Sequence, residues 1–509
     1  MNVQPDFATF TARYAARQPS VIWTSLVNDL ETPVSAMLKL ADGRRHAFLL
    51  ESVEGGEKLG RYSLIGLKPD LIWRCREGRS EINRSALADP QRFEAQTDEP
   101  LAAVRALLDE CRITLPETLP PMAAGLYGYL GYDMVRLMER LPDTNPDSLG
   151  IPDAVLMRPT VMVIFDNIKS TVTVVTPIWP TPGISADAAF DLARARLNEV
   201  LADLERSVPY RRGDIGNEAA AIATPEPVSN TTAAEYHAMV DRAKEYIRAG
   251  DIFQIVPSQR FTIPFTLAPF ALYRSLRRLN PSPFLFYLAV DDFHLIGSSP
   301  EILVRSRQGK VTIRPIAGTR PRGATPAEDL ALEQELLADP KELAEHLMLL
   351  DLGRNDVGRV TKVGTVRVTE RMVIERYSHV MHIVSNVEGD LDAERFTALD
   401  ALAAGFPAGT VSGAPKVRAM EIIDELEKAR RGFYGGCVGY FSANGDMDTC
   451  IALRTGLVKD GTLYVQTGGG VVADSDPEAE YQESLNKAKA LFRAAEDTVR
   501  FAHGRGRNG

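Results

Sequence analysis

Four glutamates stand at a spacing suited to holding a cation. Glu342 and Glu345 are three residues apart, and Glu480 and Glu483 repeat the interval, so on a helix each pair shares one face. Two such faces turned toward each other would form a four-carboxylate site. Unpaired, that much negative charge repels itself and raises carboxyl pKa values, whereas Mg²⁺ takes one or two carboxylates directly and keeps several waters, often beside an anionic substrate. The same spacing also serves plain structure. Glu342 can close a capping box with Asp339, and Glu483 can pair with Lys487 one helical turn on.

Gly468, Gly469 and Gly470 follow a strand-like run and can present successive backbone N–H groups to an anion, because glycine permits close approach and positive φ. With no Lys-Ser/Thr behind them they are not a nucleotide loop, and a simple turn explains them equally. Arg454 sits in the largely apolar run Ile451-Ala452-Leu453-Arg454-Thr455, where a guanidinium is costly unless it meets a carboxylate. A structural salt bridge and a substrate site both answer that need. Glycine and proline punctuate Ser299-Pro300-Glu301, Pro315 to Arg320 and Phe406 to Lys416, marking strand ends or tight loops where polar groups can converge.

The elements that must position these groups are readable in part. Asp339-Pro340 and Asp476-Pro477 each place an N-cap Asp before a first-turn Pro, so each glutamate pair falls in the opening turns of a helix. Thr232 and Glu235 have capping-box spacing and start a helix that ends at Gly250. Apolar runs predict strands at Ala47 to Leu50, Val161 to Phe165, Asp251 to Gln259, Phe284 to Val290, Val311 to Ile316, Gly364 to Val368, Gly436 to Phe441 and Leu463 to Gln466, and Asp187 to Arg206 predicts a helix. The elements make α/β or α+β material. The stretch 209–229 carries several alanines and prolines without an apolar period and reads as a linker between segments 1–208 and 230–495, with 496–509 as a tail.

Bulk properties narrow the function. The chain has 509 residues, 68 acidic against 58 basic side chains and a net charge of -10, which gives no electrostatic reason for nucleic acid or an anionic membrane as partner. No run approaches the ~20 apolar residues of a membrane span, and the first residues lack the apolar core of a signal peptide. The expected location is cytoplasmic. Four scattered cysteines form neither a disulfide framework nor a zinc site.

The same segments, in this order, resemble the chorismate-utilising enzymes, a family that includes the anthranilate, aminodeoxychorismate, isochorismate and salicylate synthases. The marks are Gly250 to Ser258 (GDIFQIVPS), Ser299-Pro300-Glu301, Pro315 to Arg320 (PIAGTR), Lys341 to Asp356, Phe406 to Lys416 (FPAGTVSGAPK), Tyr434 to Phe441 (YGGCVGYF), Ile451 to Thr455, the triple glycine and Glu480 to Lys487. The resemblance implies an α/β (α+β) fold: two large, mainly antiparallel sheets packed together, outer helices, and interleaved N- and C-terminal segments. It further implies that Glu345 and Glu483 hold Mg²⁺, with Glu342 and Glu480 supporting it through waters. Arg454, Tyr434 and the amides of Gly468, Gly469 and Gly470 would hold substrate carboxylates, Gly318 and Thr319 would line the ring, Glu301 would protonate the departing C4 hydroxyl, and His382 would serve the later elimination.

Two positions point to a branch. Members that add water carry a lysine base where this chain has Gln254, so ammonia is the implied nucleophile; aminodeoxychorismate synthases carry a lysine where it has Ala317. Leu49-Leu50-Glu51-Ser52, Arg61-Tyr62-Ser63 and Tyr127 to Asp133 also favour the anthranilate synthase branch, with aminodeoxychorismate synthesis as the alternative. That branch implies conversion of chorismate and ammonia to anthranilate and pyruvate, and a separate glutamine amidotransferase subunit in a heterotetramer of two of each. It also implies inhibition by tryptophan at a site that includes Ser52, Pro281, Ser282 and Pro283.

Overall fold

The pleat of each strand sends alternate side chains to different cores. Along Ala47–Glu54, Phe48 joins a cluster with Tyr127, Tyr129 and Phe286, whereas Leu49 joins one with Leu285 and Tyr287. Along Gly125–Leu130, Tyr127 and Tyr129 belong to the first of these clusters and Leu126 and Leu130 to a third. Cys437–Ser442 divides the same way, Val438 and Tyr440 against Cys437 and Phe441. Two sheets therefore face each other across the shared aromatic cluster, each apolar on both faces. Helices Phe7–Ala15, Pro33–Ala41, Ala186–Glu205, Pro269–Leu279 and Pro477–Asp497 cover the outside of one sheet, and Pro100–Glu110, Pro340–Gly358 and Ala398–Gly405 cover the other.

This computed structural model describes residues 2–41, 43–54, 58–209, 226–377 and 380–498. Its ladders are antiparallel. One sheet runs from Ser20–Val27 through Thr171–Ile178 to the C-terminal half of Ala154–Asp166, then the N-terminal half of Lys58–Arg76, Ala47–Glu54, Phe284–Ala289, Phe293–Ser299, Thr455–Lys459, Thr462–Gly468 and Ser258–Pro264. The other takes the remaining halves of the two long strands and continues through Gly125–Leu130, Cys437–Ser442, Met447–Ile451, Ile302–Arg307, Lys310–Ile313 and Val380–Asp390, which pairs with both Ile316–Pro321 and Arg367–Arg376. The long strands join the two sheets where Pro69 faces Pro159 and the register slips before Leu71. Proline has no N–H for the ladder, and a bulge bends and twists a strand, so the pair turns there from one sheet into the other.

Segments from either side of 209–229 interleave in both sheets. Phe284–Ala289 lies between Ala47–Glu54 and Phe293–Ser299, and Cys437–Ser442 lies between Gly125–Leu130 and Met447–Ile451. Most of the expected linker, 210–225, and the tail beyond 498 lie outside the described residues.

Three strand expectations need correction. Asp251 to Gln259 is broken: Gln254–Ile255 pairs with Gly413–Ala414 in a separate two-stranded ladder, and Ser258–Pro264 pairs with Thr462–Gly468. Pro257 between them cannot donate to a ladder. Val311 to Ile316 likewise divides at Arg314-Pro315 into Lys310–Ile313 and Ile316–Pro321. The strand expected at Gly364 to Val368 begins at Arg367, after a turn in which Gly364 has φ +82°.

Candidate active site

Both glutamate pairs occupy opening helical turns, as their caps require. The Asp339 carboxylate accepts from the N–H groups of Lys341 and Glu342, and Asp476 accepts from Ala479. Behind Glu342 and Glu345 the helix Pro340–Gly358 buries His346, Leu349, Gly353 and Asp356, so the two glutamates continue its inward stripe toward the positive end of the helix dipole. Burial raises the Glu345 carboxyl above its ordinary pKa, and the negative charges of Glu342 and Glu483 raise it further. Glu480 is raised by burial first and then by Glu483. The two helix faces therefore feel each other's charge. Among the described residues no three His, Cys, Asp or Glu side chains stand close enough to form a ready-made metal cage.

Gly469 comes close to one of these carboxylates and Gly470 to the amide that binds another. A Cβ on Gly469 would lie 2.8 Å from the Glu480 Oε2, and one on Gly470 would lie 2.6 Å from the Gln254 Nε2. Gln254 is 3% exposed and donates to the Glu345 Oε1 at 3.0 Å, which fixes its amide orientation. The Gln254 Oε1 and Glu480 Oε2 are buried without a hydrogen-bond partner among the described residues. Lys487 bonds Glu483 at 2.7 Å and also donates to the Gly468 carbonyl at 2.9 Å, so it ties the glycine loop to the second carboxylate helix. The Gly468 amide faces the buried Tyr434 hydroxyl, and the Gly469 amide faces that of Tyr236.

A second carboxyl stands apart from these. Glu301 is 7% exposed, and burial pushes its pKa up to about 8 even though the Thr410 hydroxyl donates to its two oxygens at 3.1 and 3.2 Å. It is therefore protonated at neutral pH. Arg454 lies near enough to be felt by Glu301, yet its guanidinium makes no hydrogen bond or ion pair with any described residue. Its backbone holds φ +47°, in the left-handed region, between Met447–Ile451 and Thr455–Lys459. The structural salt bridge that would have explained this arginine is not formed among the described residues.

His382 faces the same region. Its Nδ1 lies 2.9 Å from the Thr319 Oγ1 and 3.2 Å from the Gly318 carbonyl, and burial lowers its pKa to about 4. A neutral ring that donates Nδ1–H to the carbonyl keeps its Nε2 lone pair free. Gly318 has φ +83°, and a Cβ there would crowd Ile383 at 2.9 Å and Glu342 at 3.2 Å. Ala317 is buried and its carbonyl meets the His346 Nδ1 at 3.3 Å, with no amine in its place.

The comparisons with known proteins bear on this arrangement. A family model described as chorismate binding enzyme matches residues 56–493. The chain belongs to the chorismate-binding enzyme family. It is 62% identical to anthranilate synthase component 1 of Cereibacter sphaeroides, covering 98% of each chain, and 52% identical to the Pseudomonas putida protein of the same name over 92% of this chain and 93% of the relative. Among solved structures, anthranilate synthase component I of Streptococcus pneumoniae matches with a TM-score of 0.75 and 37% identity, covering 85% of this chain and 92% of that one. The menaquinone-specific isochorismate synthase of Escherichia coli shares the fold at a TM-score of 0.68 and 18% identity, covering 96% of this chain and 100% of its own.

In this chorismate-binding chain the inter-sheet space holds a cavity of about 1120 Å³, lined from one sheet by Ser52, Val53, Pro283 and Phe284 and from the other by Arg314, Glu375 and Tyr377. Ser52 pairs opposite Phe284 and donates its hydroxyl to the Tyr62 carbonyl at 3.2 Å, while the Val53 N–H bonds the Pro283 carbonyl. Ser282 is buried, and neither it nor Pro281 is on the cavity wall. Two side chains at the catalytic region had no role assigned from the sequence. Thr410 is 109 positions from the Glu301 it contacts, so only its place in the Phe406 to Lys416 motif could have marked it. Arg431, fully buried, donates to Glu427 and to the carbonyls of Val411 and Val256, and its guanidinium lies 5.4 Å from the Tyr434 ring centre. It binds together the loop that carries Thr410, the segment that carries Gln254, and Tyr434.

Proposed function

We propose that this chain is the chorismate-using component of an anthranilate synthase, which aminates chorismate with ammonia and eliminates pyruvate to give anthranilate. The observation that carries the reading is Glu301, a buried acid protonated at neutral pH, beside an arginine whose charge no described residue pairs. Hydroxide is a poor leaving group, and a positioned acid that lets the C4 oxygen leave as water lowers that barrier. Near-full-length similarity to proteins named anthranilate synthase component 1 supports the branch.

Glu345 and Glu483 would hold Mg²⁺, with Glu342 and Glu480 linked through waters. The residues fit such an ion: the Glu480 Oε2 is buried without a partner among the described residues, and the Glu345 carboxyl is raised by burial first and then by the like charges of Glu342 and Glu483. When bound, the ion neutralises the ring carboxylate and draws charge from the transition state. Arg454, Tyr434 and the Gly468 to Gly470 amides hold the carboxylates of chorismate, and Gly318 and Thr319 line its ring. Glu301 gives its proton to the C4 oxygen, which departs as water. Gln254 turns its unpartnered Oε1 toward the incoming ammonia, which needs no base before it attacks. The free Nε2 of His382 accepts the ring proton during loss of pyruvate.

Ammonia must come from elsewhere. All four cysteines are buried, and burial raises their thiols, Cys111 to about 11 and Cys75 and Cys437 to about 12, so none is a ready nucleophile for glutamine. A separate glutamine amidotransferase subunit, two of each chain per assembly, supplies it. Tryptophan binds the inter-sheet cavity at Ser52 and Pro283, with Pro281 and the buried Ser282 supporting that wall from behind, and inhibits. The test is to mix the purified chain with chorismate, Mg²⁺ and either an ammonium salt or glutamine, then identify the product. Anthranilate from ammonium alone is expected. Aminodeoxychorismate, no product, or anthranilate from glutamine alone would overturn the corresponding part of the reading.

A further inference from the structure

We propose that Tyr377 is a positioning residue that ties the inter-sheet cavity to His382, so that an occupant of the cavity acts on catalysis through Glu375, Tyr377 and the imidazole. The proposal rests on the reading of that cavity as the tryptophan site and adds the route by which it is heard.

The register places the parts on one face. Glu375 pairs directly with His382, and His382 with Thr319, so their side chains rise from the same side of the sheet, and Tyr377, two residues beyond Glu375, rises with them. The Tyr377 ring meets the His382 ring edge-on, with centres 5.5 Å apart and planes at 63°. Its hydroxyl donates to the Glu375 Oε2 at 2.9 Å, and the same oxygen accepts from the Arg314 Nη1 at 3.1 Å. Arg314 is held in turn by Glu370 at 3.0 Å. Arg314, Glu375 and Tyr377 all line the cavity that Ser52 and Pro283 close at another wall.

The backbone of Tyr377 is fixed on both sides. Its N–H bonds the Val380 carbonyl at 2.8 Å, and its own carbonyl accepts from the Arg322 Nη1 at 2.8 Å. What can change is the side chain. A cavity occupant that engages Arg314 or Glu375 withdraws the acceptor from the tyrosine hydroxyl. The ring then loses the bond that sets its angle, and the imidazole loses the edge that sets its own. Because the hydroxyl and the ring perform different parts of this task, substitutions separate them.

Tryptophan binding is measured by equilibrium dialysis and inhibition by anthranilate formation, each variant referred to its own uninhibited rate. Tyr377→Phe keeps the ring and removes the bond; it should bind tryptophan as the wild type does, while the inhibitory concentration rises at least about tenfold, the usual scale of such coupling. Glu375→Ala should reproduce that loss, and the double variant should be no worse than the worse single, as expected for groups acting through one contact. Ser52→Phe, by contrast, should lose the binding itself. Tyr377→Leu, without tryptophan, should lower kcat and leave the KM for chorismate unchanged. Wild-type inhibition in Tyr377→Phe, full additivity in the double variant, or an unchanged kcat in Tyr377→Leu overturns the proposal while the cavity reading stands. A wild-type chain that tryptophan neither binds nor inhibits overturns the cavity reading and the coupling with it.

Discussion

A carboxyl kept from water holds its proton, and Glu301 does so up to about pH 8. Its role as acid should therefore give kcat/KM an alkaline limb near that value, and Glu301→Gln should lower turnover on the order of 10²- to 10⁴-fold. Stability carries the same signature. Between the ordinary carboxyl value of 4.5 and about 8 the native state binds more protons at this site than the unfolded chain, so its contribution falls as pH rises through that window and is then constant. Glutamine does not titrate. The melting temperature of Glu301→Gln relative to wild type should climb from pH 5 to pH 8; a difference independent of pH would show that the carboxyl is not held protonated. For the cation, Glu345→Ala and Glu483→Ala should abolish turnover with unchanged circular dichroism, since each removes a carboxylate from a mutually repelling group. Near-wild-type rates at limiting Mg²⁺ in either variant would discard the ligand assignment.

The helices Pro340–Gly358 and Pro477–Asp497 aim these carboxylates because their N-caps fix the phase of the first turn. The caps are unequal. Asp339 accepts two backbone N–H groups and an Arg320 Nη2 at 2.8 Å, and the same arginine reaches Glu342 at 3.3 Å, whereas the Asp476 cap bond is to Ala479 alone. Removing an Asp cap costs about 0.5–2 kcal/mol. Asp339→Ala should fall at the upper end and also raise the Mg²⁺ concentration for half-maximal rate, since it frees the arginine that steadies Glu342; Asp476→Ala should fall at the lower end. Urea denaturation of both variants checks the order, and equal losses would mean that the arginine brace contributes nothing.

Across the whole molecule, neither half of the chain completes a sheet. Expressed alone, residues 230–495 would leave Phe284–Ala289 without Ala47–Glu54 and Cys437–Ser442 without Gly125–Leu130, which exposes two apolar strand edges. Residues 1–208 would bare the same edges in reverse. Each fragment alone should aggregate or stay unfolded, and co-expression should restore soluble chorismate turnover. A fragment that unfolds cooperatively by itself, followed by denaturant, would contradict this interdependence. Acid and ammonia also set opposite demands on the isolated chain: free ammonia grows with pH while protonated Glu301 declines, so its ammonium-dependent rate should pass through a maximum, and a partner that delivers neutral ammonia removes the conflict.

Local chemistry was legible in the residues themselves. Asp339-Pro340, Asp476-Pro477 and Thr232 with Glu235 announce helix starts because a cap is satisfied within a few residues, and the structure forms all three. Alternating apolar runs gave most strands for the same reason, the pleat being local. The motif order carried the family. What the chain alone could not settle depends on partners far along it. Asp251 to Gln259 reads as one strand and is two, because Gln254–Ile255 finds Gly413–Ala414 while Ser258–Pro264 finds Thr462–Gly468. Thr410 reaches Glu301, Gly469 yields to Glu480, and Tyr377 comes to lie between a cavity and an imidazole. Burial decided the proton on Glu301, and burial belongs to the packed molecule: the same carboxyl in an extended chain is an ordinary one, since only closure of the two sheets and their loops around it removes the water that would ionise it.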